Sequence, residues 1–211
     1  MNRRDALLRV ATMVGATITL PALGSSALAD TLEASAAQRV ATGKPVLFTA
    51  DQDALVADLA DVIIPTTNTP GAKAAKVNEI IDVVLKDCFR KPEQQRFIDG
   101  LTMTQKMSQT SYGKSFSQLD NNQKIELMKK LEADAKQQRS DMARSVAGQQ
   151  DVQIPKEKRD FTPFFAMLKD LTLMGYFTSE IGATQALEYV ANPGRYDGCV
   201  PMKPGQKAWA I

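Results

Sequence analysis

The sequence predicts an all-α fold: a compact irregular helical domain of about five to six helices with a turn-rich C-terminal tail. Three observations predict it. Apolar residues recur at helical spacing through most of the chain. Side-chain capping signatures precede several of these runs. No stretch sustains the apolar/polar alternation of a half-buried strand, and no internal repeat is present. With 211 residues, 44% of them hydrophobic and 24% charged, the chain carries enough apolar surface for one globular core.

The first segment reads as an address. Asn2-Arg3-Arg4-Asp5-Ala6-Leu7-Leu8 leads into an uncharged, moderately apolar stretch from Val10 to Ala29, closing Ala27-Leu28-Ala29 before Asp30. This is the three-part plan of an export signal, with Ala27 and Ala29 at the small-residue positions of the cleavage site. The paired Arg3 and Arg4, and a core diluted by Thr12, Gly15, Thr17 and Thr19, resemble a twin-arginine signal more than a general secretory one. A retained anchor is the alternative, but Thr, Gly and Pro21 make a poor membrane span. The expected organisation is a signal over 1–29, a polar leader over 30–48, and one helical domain over 49–211. Twin-arginine export moves folded proteins, so either this chain binds a cofactor or it travels with a protein that does.

In the mature chain, Thr49-Ala50-Asp51-Gln52 forms a capping box, and Leu55, Leu59, Val62 and Ile63 then follow at helical spacing until Pro65 stops the run. Pro65-Thr66-Thr67-Asn68-Thr69-Pro70-Gly71 predicts an ordered loop. Val77, Ile80, Ile81, Val84, Leu85 and Cys88 make one face of a second helix. Pro92 starts a third, carrying Phe97, Ile98 and Leu101. Asp120 caps a fourth with Gln123 at the reciprocal position, and Leu127, Met128 and Leu131 face one way. From Asp134 to Asp160, eleven of 27 residues are charged, which predicts a frayed helix end and a variable surface loop. Thr162-Pro163 opens the most apolar segment, Phe164 to Phe177, expected to be buried on more than one side. A short helix from Ser179 to Tyr189 and the turns of Asn192 to Cys199 complete the chain.

Composition excludes much chemistry. Histidine is absent, which removes the commonest general base and metal ligand. A formal charge of +2 gives no reason to expect a nucleic-acid partner. Gly113-Lys114-Ser115 lacks the glycine a phosphate loop needs five residues earlier, where Ser108 stands, and no G-x-G-x-x-G occurs. No catalytic, cofactor-binding or metal-ligating residue is therefore expected in this chain. The carboxylates Asp58, Asp61, Glu79 and Asp82 read as solvated helix faces, while Glu180, beside an aromatic cluster, reads as a hydrogen-bond hub or an interface residue. Cys88 and Cys199 are expected to pair in an oxidising periplasm, stapling the tail to the second helix. The alternatives are two buried thiols, or one exposed thiol that links to a partner.

Eight of the 13 aromatic residues fall in the last 51 positions. Phe164, Phe165 and Phe177 suit a core helix, whereas Tyr196 and Trp209 are harder to place inside a small core and suit an interface. The candidate partner interface comprises Tyr176, Phe177, Thr178, Ser179 and Glu180, with Arg195, Tyr196 and Trp209 from the tail.

Asp61-Val62-Ile63-Ile64-Pro65-Thr66-Thr67-Asn68-Thr69-Pro70-Gly71-Ala72, Leu171 to Thr184, and Pro193-Gly194-Arg195-Tyr196-Asp197-Gly198-Cys199, behind the twin-arginine leader, together resemble the gluconate 2-dehydrogenase subunit 3 family. The resemblance implies a non-catalytic small, or gamma, subunit that partners a large flavoprotein of the glucose-methanol-choline type. That partner carries FAD and the substrate site, and a multihaem cytochrome c often completes the complex. It also implies that the small subunit supplies the signal read by the twin-arginine translocase and supports maturation of the flavoprotein in the periplasm. The rival expectations are an autonomous periplasmic binder of lipid or quinone, with a pocket between Phe164 and Phe177, and an enzyme in its own right.

Overall fold

Helix caps written into the sequence set the frame. The computed structural model describes residues 34–39, 42–147, 161–190, 194, 199, 201 and 204–210. Helix α1 (Ala50–Ile63) starts where Thr49 and Gln52 cap one another: Gln52 N donates to Thr49 Oγ1 at 3.3 Å and Thr49 N donates to Gln52 Oε1 at 2.9 Å. The Pro65–Gly71 loop is ordered by its own hydrogen bonds. Ala72 N reaches back to the Ile64 carbonyl at 2.9 Å, and Gly71 N donates to Thr66 Oγ1 at 3.1 Å. A Cβ on Gly71 would stand 2.6 Å from Thr66 N, so this close return of the chain requires glycine.

Helix α2 (Val77–Cys88) buries Val77, Ile81, Val83 and Leu85. It is followed after two residues by α3 (Lys91–Tyr112), with Pro92 in the first turn and Gly113 at φ 66° ending it. The junction carries its own C-cap. Gln94, 4% exposed, directs Nε2 at the carbonyls of Leu85, Lys86 and Phe89 at 2.8 to 2.9 Å, serving acceptors left open at the end of α2.

A single 3-10 turn (Phe116–Gln118) buries Phe116 completely and leads to α4 (Asn121–Val146), capped by Asp120 and Gln123 as their spacing predicts. This helix is longer than expected. It remains regular through Val146, inside the stretch expected to fray. No glycine or proline interrupts it, and Glu132 with Lys136 (3.3 Å), Gln137 with Asp141 (2.9 Å) and Asp141 with Arg144 (3.2 Å) stabilise its exposed turns. The remainder of the expected loop, 148–160, lies outside the described residues.

Helix α5 (Phe164–Thr178) touches α1, α2, α3 and α4, which meets the expectation of burial on more than one side. Met167, Leu168, Leu171, Thr172, Gly175 and Tyr176 face inward. Phe97 joins the core to this helix, stacking on Phe48 (5.8 Å between centroids) and meeting the Phe164 ring edge-on (5.1 Å).

The segment after α5 departs from the expected helix. The Ser179 hydroxyl donates to the Tyr176 carbonyl at 2.6 Å and accepts Gly182 N at 3.0 Å, opening the ladder into a π-helical turn (Gly182–Ala186). Strand β1 (Glu188–Tyr189) then pairs in parallel with β2 (Trp209–Ala210). Two residues a side are too few to give a recognisable alternation. The all-α fold class holds, with this pair as a small addition. No helix among the described residues is long and apolar enough to cross a membrane.

Candidate functional site

Part of the expected leader packs on the helices that follow it. Asp82 on α2 is fully buried and accepts four hydrogen bonds: from Arg39 Nη1 at 2.5 Å, and from the backbone amides of Val46 (2.6 Å), Leu47 (3.0 Å) and Phe48 (3.0 Å). Arg39, 7% exposed, also donates to Asp53 on α1 at 2.8 Å, and Asp53 accepts from Asn78 at 3.0 Å. Burial alone would lower the Arg39 pKa. The hydrogen bonds and attraction of Asp53 and Asp82 outweigh it, and the pKa is raised. The reading of Asp82 as a solvated carboxylate is thus overturned. Its three amide donors belong to a segment 34 to 36 positions earlier, and no local spacing announces them.

The proposed interface residues divide on inspection. Tyr176 is 2% exposed and its hydroxyl donates to the Pro70 carbonyl at 2.6 Å, so it belongs to the core and is unavailable to a partner. Phe177, the next residue, turns outward at 41% exposure while its ring meets Tyr176 edge-on at 5.2 Å. Thr178 and Glu180 are exposed. Ser179 is half-buried, and its hydroxyl is engaged within the turn. Glu180 is therefore not a buried hub. Trp209 on β2 is 53% exposed, and Tyr189 and Val190 beside it are also exposed. The end of α5 contacts the π-helical turn, the turn contacts β1, and β1 pairs with β2, so the apolar residues missed by sequence reasoning, Met174, Tyr189 and Val190, belong to the same region as Phe177 and Trp209. Arg195 and Tyr196 lie outside the described residues, as do Arg3, Arg4, Ala27 and Ala29 of the signal.

The expected disulfide is not formed. Cys88 and Cys199 are both exposed thiols. Partial desolvation, followed by the charge of Asp87, pushes the Cys88 thiol above its ordinary pKa. Pairing would also require the two Cα atoms within about 7 Å.

A cleft of about 540 Å³ lies between α1 and α3 and is lined by Asp51, Gln52, Asp58, Thr102, Gln105 and Lys106 among others. Asp58 is held by Lys73 at 2.8 Å, which attracts it electrostatically and has its own pKa raised by that bond. Between Phe164 and Phe177, where the lipid or quinone pocket is expected, Phe165, Ala166 and Lys169 line two clefts against α4 of about 210 and 230 Å³. Phe164 is committed to Phe97, and a Cβ on Gly100 would fall onto its ring.

Taken together, helices α1 to α5 and the leader residues held by Asp82 form a small helical domain, with Phe177 exposed at the end of α5. The chain belongs to the gluconate 2-dehydrogenase subunit 3 family, whose model matches residues 50–194, more than half of its length. The match begins with α1 and ends just before Arg195, so Phe177 to Glu180 fall inside it and Trp209 outside. No curated protein and no solved structure matches the chain.

Proposed function

We propose that this chain is the non-catalytic small (gamma) subunit of a periplasmic FAD-dependent sugar or sugar-acid dehydrogenase complex. The observation that carries the proposal is the family membership across α1 to α5. In this reading a large flavoprotein of the glucose-methanol-choline type binds FAD and substrate, and a multihaem cytochrome c accepts the electrons where it is present. The small subunit carries the flavoprotein through the twin-arginine translocase, using Arg3 and Arg4, and remains bound afterwards.

One feature of the chain supports the division of labour. Phe177, Tyr189, Val190 and Trp209 are large, apolar and exposed, the composition of an interface centre.

The test is export of the pair. Arg3→Lys with Arg4→Lys, expressed together with the flavoprotein, is expected to leave both subunits in the cytoplasm. Continued export of the large subunit would contradict the carrier role.

A further inference from the structure

We propose that the groove between α4 and α5 docks an acidic amphipathic helix of a protein partner, at a place separate from the apolar end of α5. Two adjoining clefts form the groove. One, of about 230 Å³, is floored by Val62, Ile63, Ile125, Met128 and Phe165. The other, of about 210 Å³, runs past Ala135, Phe165 and Ala166 toward Arg139. They share Glu132, Phe165 and Lys169, so an occupant of one continues into the other. From Ile125 to Arg139 the wall supplied by α4 extends about 21 Å, room for roughly four turns of a bound helix. Ile125 is 44% exposed on this floor although it belongs to a helix whose other large aliphatic residues, Leu127 and Leu131, are buried.

Charge determines the occupant. Lys129, Lys136, Arg139 and Lys169 line the rim. Lys136 pairs with Glu132 at 3.3 Å. Lys129, Arg139 and Lys169 form no ion pair among the described residues, and Asp170 is the one acidic group of the rim left to oppose them. An apolar floor edged by unpaired cations complements a helix with leucine-like residues on one face and carboxylates beside them. A groove, rather than a flat basic face, favours a helix over a bilayer surface.

The experiment uses the mature chain with isotope-labelled amides and a synthetic 14-residue helix of leucine and glutamate. Controls are the same peptide with lysine for glutamate, and vesicles of phosphatidylglycerol. The expected result is amide shifts confined to residues 62–63, 125–139 and 165–170, at least tenfold tighter binding of the glutamate peptide, and weakening with added salt. Lys129→Gln, Arg139→Gln and Lys169→Gln together remove exposed charges only, so helicity and melting should hold while binding falls at least tenfold. Equal binding of both peptides, shifts elsewhere on the surface, absence of binding, or vesicle binding through the same residues without peptide binding would each overturn the proposal.

Discussion

Tyr176 donates its hydroxyl to the carbonyl oxygen of Pro70 at 2.6 Å, tying the last turn of α5 to a loop 106 positions earlier. The ring beneath is sealed in the core, and its neighbour Phe177 points outward. Adjacent aromatics on one helix thus serve different ends. Tyr176→Phe removes the hydrogen bond and keeps the ring, so it is expected to lower stability by about 1 kcal/mol in urea unfolding. Tyr176→Ala also empties a core site and is expected to lose about 3 to 5 kcal/mol.

The anchor at Asp82 makes a sharper prediction. Asp82→Ala leaves Arg39 buried with only Asp53 as its acidic partner, and leaves the amides of Val46, Leu47 and Phe48 without their acceptor. A loss of about 3 to 5 kcal/mol is expected. Limited proteolysis should then cut within 42–48 before the helices unfold. Cleavage at the unmodified rate would show that the leader does not depend on this carboxylate.

Acid sensitivity is expected at the start of α3. The Arg90 guanidinium bonds Glu93 at 2.7 Å and holds its carboxyl below its usual value of 4.5, overcoming the opposing effect of burial. A depressed carboxylate pKa adds stability that is present above the unfolded value and is lost as pH falls through the folded one. Glu93→Gln should therefore be less stable than the native chain at neutral pH, with the difference shrinking as pH falls below 4.5 and gone once it has passed the depressed folded value. Melting temperatures of both proteins across that window measure it.

At the apolar end, Phe177→Ala and Trp209→Ala should weaken co-purification with the proposed flavoprotein partner and leave helicity unchanged, because both side chains are exposed. Co-purification at native yield would remove the pair from the interface.

The capping boxes of Thr49 with Gln52 and Asp120 with Gln123 made α1 and α4 legible in the sequence, since each signal lies within four residues. The apolar run of α5 was legible as a helix but not as an oriented one. With apolar residues nearly all round, it could not say that Tyr176 faces inward and Phe177 outward. Asp82 was missed because its ligands come from a distant segment, whereas its own helix spacing resembles a solvated face. The π-helical turn depends on one hydroxyl, Ser179, inserting into the backbone ladder, and β1 and β2 are too short to show a period. Local signals thus specified the helices, and long-range partners specified the site.

The central claim is that the chain works as the small subunit of a flavoprotein complex. It is tested most directly by affinity capture of the chain from the cells that make it, followed by visible spectroscopy and mass analysis of the co-purified protein. The account predicts a flavoprotein that recovers in fixed ratio with the chain and absorbs in the flavin region, with haem bands if a cytochrome is present. A colourless chain recovered alone would contradict it.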